Sequence, residues 1–126
     1  MKIIFVLHIA MLLVLTSCHS IMKDEVKEFM PGTYIRFSQL EFGKEYDTLI
    51  ITLQNQSSNE YRIVRKWKYE RVLDGSAIEP EYKRSVTSGV YNSVHKLLQE
   101  TETGDLYSFD AKRKLLFNGP VKYQKL

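Results

Sequence analysis

The chain has 126 residues, a formal net charge of +3 and one cysteine. That length makes one domain with a single modest core. The balance of 18 basic against 15 acidic residues is too even for a nucleic-acid partner, and one cysteine excludes an internal disulfide.

Lys2 supplies a positive start, and Ile3 to Leu15 is an apolar run broken only by His8. At 1.5 Å per residue this run is too short to cross roughly 30 Å of hydrocarbon, so it reads as a secretory signal. It ends in Leu15-Thr16-Ser17-Cys18, which resembles the lipobox of bacterial lipoproteins. The resemblance implies that the Cys18 thiol takes a diacylglyceryl group, that the peptide is cut before it, and that acyl chains hold the domain on a membrane. The domain plan is then a signal peptide over 1–17, a lipidated tether with a short helix over 18–31, and a β domain over 32–126. The mature chain keeps 109 residues and a net charge of +2. Acyl chains contribute about 0.8 kcal/mol per buried CH₂, enough for stable anchoring by two or three of them. A lone thiol is an unusual residue for an oxidising compartment, and lipidation accounts for it. His19 stands where an Asp would retain many such proteins in the inner membrane, so the expected location is the cell envelope, at the outer membrane.

Ile21 to Met30 carries Met22, Val26, Phe29 and Met30 at helical spacing, and Pro31-Gly32 stops the helix. Its apolar stripe packs on the domain or lies on the membrane. Lys23-Asp24-Glu25 resembles the Lys/acidic export signals of some Bacteroidetes surface lipoproteins but sits farther from the cysteine, and a solvated helix face is the favoured explanation of the triplet.

From Gly32 the period becomes two. Strands are predicted over 33–37, 46–54, 60–73, 82–87, 96–101, 106–109, 114–117 and 121–125, with a polar connection over 38–45. Ser88-Gly89 is expected to break or bulge the fourth strand, and 90–94 reads as either strand or loop. Turn signals stand at Asn55 to Asn59, Asp74-Gly75-Ser76, Glu102 to Asp105, Asp110 to Arg113 and Asn118-Gly119-Pro120. No helix-length pattern separates the strands, which excludes βαβ units. The fold class is therefore mainly β: an antiparallel meander of about seven or eight strands, as a small lipocalin-like barrel or a curved sheet, with one short N-terminal helix. Gly32-Thr33-Tyr34, Asp105 to Phe109 and Tyr123 to Leu126 give a loose likeness to small uncharacterised lipocalin-like lipoproteins of Bacteroidetes. That likeness implies fold and location and no activity.

No chemistry-bearing constellation stands out. His95 is the only histidine of the β domain, and neither a Gly-x-Ser-x-Gly elbow nor a phosphate-binding glycine loop is present. Glu79 with Glu81 and Glu100 with Glu102 are carboxylate pairs at period two, each beside a turn. Neither a cofactor nor an enzymatic activity is expected.

The third strand is the distinctive stretch. Arg62, Arg65, Lys66, Lys68 and Arg71 interleave with Tyr61, Trp67 and Tyr69. Two readings stand. Arg62, Arg65, Lys66, Trp67, Lys68, Tyr69 and Arg71 form a cationic–aromatic surface for an anionic glycan, a lipid head group or an acidic envelope protein. Alternatively the aromatics are core, and the cations sit in water or pair with Glu60 and Glu70. Two functions follow: a non-enzymatic binding lipoprotein of the cell envelope, or a carrier whose barrel encloses a small apolar ligand among Ile51, Leu53, Trp67, Tyr69, Leu98 and Phe109.

Overall fold

The computed structural model describes residues 23–73 and 76–126. The expected signal peptide, Cys18 and the first residues of the predicted helix lie outside them. Helix α1 spans Glu25–Phe29 and is followed by β1 (Gly32–Leu40), β2 (Gly43–Asn55), β3 (Glu60–Leu73), β4 (Ser76–Ala77), β5 (Glu81–Asn92), β6 (Leu97–Glu100), β7 (Leu106–Asp110), β8 (Leu115–Asn118) and β9 (Val121–Lys125).

Each long strand pairs antiparallel with the next, and β9 returns to β1 through Tyr34 opposite Lys125 and Ile35 opposite Gln124. The result is a closed eight-stranded up-and-down barrel; β4 is a two-residue arm on the end of β3. Closure removes the edges that a sheet of this size otherwise exposes.

The expected polar connection over 38–45 is not a loop. β1 runs to Leu40 and β2 begins at Gly43, because Ser38, Gln39 and Leu40 pair in register with Glu45, Lys44 and Gly43. Nor does Ser88-Gly89 break β5. Gly89 pairs with Tyr61 on one side and Glu100 on the other, and its missing side chain gives room to Ile63 and Leu98.

Alternation sends every second side chain inward. Tyr34, Leu49, Ile51, Tyr61, Ile63, Tyr91, Leu98, Tyr107, Leu116 and Tyr123 fill the barrel, joined by Met30, and none is more than 3% exposed. Of the interior residues expected from sequence, Ile51 and Leu98 are core and Phe109 packs against it. Leu53 is exposed at the end of β2, where the register is regular up to its pairing with Tyr61 and shifts only beyond it.

One end of the barrel is closed by α1, whose Val26 and Phe29 pack against the core rather than facing away from the domain. Asp24 caps the helix by accepting from the Lys27 backbone N–H at 3.1 Å. The same carboxylate accepts from the Tyr91 hydroxyl at 2.9 Å and pairs with Lys96 at 3.1 Å. Burial pushes the Asp24 carboxyl up, but the Lys27 N–H, Lys96 and Tyr91 together draw it below its ordinary value. The Tyr34 hydroxyl donates to the Met30 carbonyl at 2.8 Å, and Lys125 donates to the Phe29 carbonyl.

Three hairpins at this end share one design. Gln56–Asn59, Ser93–Lys96 and Ala111–Lys114 are four-residue turns that each finish on a left-handed residue, Asn59, Lys96 or Lys114. Before each stands Asn55, Asn92 or Asp110, whose side chain accepts a backbone N–H of the turn.

The opposite end is open and uneven. β6 meets β5 only from Gly89 to Asn92, and β9 meets β1 only at Tyr34 and Ile35. Beyond those levels β1, β2, β3 and β5 continue as a four-stranded sheet. From the row of Arg36, Asp47, Trp67 and Lys83 outward, the five residues 36–40 of β1 carry it roughly 16 Å past the barrel rim, at about 3.3 Å per residue. Among the described residues, no strand lies beside residues 36–40 of β1 or 81–87 of β5 on the outer side.

Candidate functional site

The projecting sheet holds the cationic–aromatic stretch, and alternation divides it between two faces. Tyr61 and Ile63 point into the core, so Arg65, Trp67, Tyr69 and Arg71 continue the same, inner face beyond the rim. Arg62, Lys66 and Lys68 stand on the outer face. The seven predicted surface residues are therefore not one surface.

On the inner face the cross-strand register brings Leu49, Arg65 and Ser85 side by side. The next row is Arg36, Asp47, Trp67 and Lys83, and the next Ser38, Glu45, Tyr69 and Glu81. At the rim Asp47 is buried, and Arg65 grips it through Nε at 3.0 Å and Nη2 at 2.7 Å. The Tyr123 hydroxyl donates to the same carboxylate at 2.8 Å from inside the barrel. Hydrogen bonding to Asp47 raises the Arg65 pKa further, so its guanidinium keeps its charge. The Tyr123 hydroxyl is pushed up by burial and by its bond to Asp47.

Trp67 and Tyr69 are half-buried, not core. Their rings stack at 5.8 Å with 12° between planes. Arg71 lies 6.0 Å from the Tyr69 ring, and the Lys83 ammonium 5.1 Å from the Trp67 ring. The two aromatics thus form a flat pair with a cation at each end. Gly43 permits this, since a Cβ there would meet the Glu70 carbonyl at 2.3 Å and the Tyr69 ring at 3.1 Å. The Trp67 Nε1 donates to Glu45 at 3.0 Å, and Glu45 also pairs with Arg36 at 3.5 Å.

Beside this column an open depression of about 540 Å³ is lined by Arg65, Trp67, Lys83, Arg84 and Ser85. Arg65 brings its own counter-charge in Asp47. Lys83 and Arg84 have no ion-pair partner among the described residues, so the depression carries an excess of positive charge.

The outer face is more self-contained. The register aligns Phe37, Tyr46, Lys68 and Tyr82 in one row. Lys68 pairs with Glu70 at 2.8 Å and lies 5.5 Å from the Tyr46 ring and 5.9 Å from the Tyr82 ring. Tyr46, Thr48, Lys66, Lys68 and Tyr82 border a second depression of about 560 Å³, which Trp67, Lys83 and Arg84 also line; Arg84, opposite Lys66, stands on this outer face. Arg62 sits apart, level with Thr52 and Ser88.

The other candidate residues do not assemble. His95 is exposed in the Ser93–Lys96 turn. Glu79 and Glu81 are exposed. Glu100 and Glu102 are no pair: Glu102 lies in an exposed turn, while Glu100 is buried and accepts from the Tyr107 hydroxyl at 2.8 Å. Among the described residues no three His, Cys, Asp or Glu side chains come together to hold a metal.

The sequence reading missed Lys83, Arg84 and Ser85, and with them Asp47 and Glu45. The Lys83-Arg84 pair on a predicted strand was a visible signal; its alignment with Trp67 depends on a register that only the folded sheet fixes. No protein-family model, curated protein or solved structure matches this chain.

Proposed function

We propose that this protein is a non-enzymatic, lipid-anchored binding protein of the cell envelope, whose ligand or partner meets the inner face of the projecting sheet. The observation that carries the reading is the depression formed by Arg65, Trp67, Lys83, Arg84 and Ser85 outside the packed barrel. A surface that only stabilised the fold would bury Trp67 and neutralise Lys83 and Arg84. Here the indole is half-open and both cations face water.

The anchor gives this face a direction. Five residue steps separate Cys18 from Lys23, a span of at most about 18 Å. The closed end, where Asp24 meets Tyr91 and Lys96, is thereby tied to the bilayer, and the open end is the part free to face outward. An enclosed apolar carrier is less well supported, because the barrel interior is filled by its own tyrosine and aliphatic side chains.

Two experiments test the reading. Cys18→Ala releases the protein from the membrane fraction; unchanged retention removes the anchor. A photo-reactive residue at Ser85 yields specific cell-envelope adducts, whereas one at Ser57, in a closed-end turn, does not. Equal adducts from both positions would sink the inner-face site.

A further inference from the structure

The chemistry of the depression narrows what it takes, resting on the reading that this face is the binding site. Arg65 and Lys83 bring two positive charges to the hollow from the inner face, and Arg84, opposite Lys66 on the outer face, borders it. Arg65 spends Nε and one side of Nη2 on Asp47, which leaves the other guanidinium hydrogens free to donate. Asp47, itself buried and held by Tyr123, fixes that guanidinium before any ligand arrives. Ser85 adds a hydroxyl beside it.

A bare inorganic anion would use the cations and nothing else. The hollow, at about 540 Å³, has the size of a small-molecule site. One of its walls is the indole of Trp67, held in place by its stack on Tyr69. The Lys83 ammonium lies 5.1 Å from the indole centroid, so an anion bonded to it is held above the ring. Flat aromatic wall, hydroxyl and excess positive charge together match a ring with one C–H face and an edge of hydroxyls and negative charge.

We propose that the hollow binds a saccharide ring bearing a carboxylate or phosphate, with the anionic group between Arg65 and Lys83 and the ring against Trp67.

Trp67 is the chain's only tryptophan, so intrinsic emission reads the site directly. The full-length protein is titrated in a polyoxyethylene ether detergent, which carries no sugar, in a phosphate-free buffer. The probes are a glucuronate-containing disaccharide, glucose 6-phosphate, a neutral disaccharide, inorganic phosphate and a triglutamate peptide. The expected result is saturable change with the uronate disaccharide or the sugar phosphate at Kd below about 1 mM, and at least tenfold weaker binding of the other three. The first two probes separate a carboxylate from a phosphate as the anionic group. Lys83→Gln/Arg84→Gln, at two exposed positions, weakens the favoured probe at least tenfold with the melting temperature unchanged. Equal binding of the neutral sugar, of inorganic phosphate or of the peptide overturns the proposal, as does silence with every probe. Silence alongside specific adducts from Ser85 removes the saccharide and keeps the site; silence with no such adducts removes both.

Discussion

The barrel and the sheet that projects from it share four strands and solve different problems. In the barrel, inward residues of all eight strands converge, and burial of Leu49, Ile51, Leu98 and Leu116 is complete or nearly so. In the projection the same alternation continues with no opposite wall to meet it. The inner face therefore holds together through paired charges and stacked rings: Arg36 with Glu45, Arg65 with Asp47, Trp67 with Tyr69. What separates the regions is the number of neighbouring strands, not local composition. Within β3 alone, Ile63 is 2% exposed and Arg65, two residues on, has half its side chain in water.

Substitutions can break this contrast or sharpen it. The largest effect belongs to the barrel. Leu116→Ala creates a cavity at a fully buried site and lowers unfolding free energy by about 3 kcal/mol in denaturant titration. Trp67→Ala, a larger truncation outside the core, costs only about 1–2 kcal/mol. Equal losses would erase the distinction between the two regions.

At the junction, Arg65→Met leaves the buried Asp47 carboxylate with Tyr123 alone. A buried carboxylate stripped of its cation is costly, and with Arg65 half-exposed we expect a loss of about 2 kcal/mol. Adding Asp47→Asn to Arg65→Met recovers at least half of it, and a strictly additive double mutant would refute the coupling.

At the closed end, Asp24→Asn weakens the contacts of α1 with Tyr91 and Lys96 and costs about 1 kcal/mol. The wild-type carboxyl titrates below its unfolded value of 3.8. Its contribution is therefore complete above that value and is lost as pH falls through the lower folded one. The protection factors of the α1 amides, taken relative to the intrinsic exchange rate at each pH, should fall on acidification more in the wild type than in Asp24→Asn. The smallest change is a gain. Lys114 is exposed and left-handed at φ 58°, so Lys114→Gly relieves backbone strain and stabilises by about 0.5 kcal/mol, read as a small rise in Tm.

Much of the barrel was legible because its signals are local. The ends of β3 and the start of β9 follow from turn residues, and the turns at Asn55 and Asp110 announce themselves by residue type; the Ser93–Lys96 turn was not read, because residues 90–94 fit strand or loop. Closure was not legible, since β9 meets β1 through only two residue pairs far apart in the chain. The length of β1 and β2 was underread because Ser38 to Glu45 is polar, and polarity there reflects a sheet wet on both faces rather than a loop. The site suffered from the same gap. Period two correctly placed Arg65, Trp67, Tyr69 and Arg71 on one side of β3, yet it said nothing of where the barrel wall opposite them ends.

The unequal strand lengths have a consequence for how such a molecule can change. The Glu41–Phe42 turn lies at the far tip of the β1–β2 hairpin, remote from every residue that closes the barrel. Removing or adding two residues in each arm near that tip preserves which side chains point inward, while a change of one would reverse them. Reach is therefore a variable that can be shortened or lengthened in even steps while shear, closure and core stay as they are.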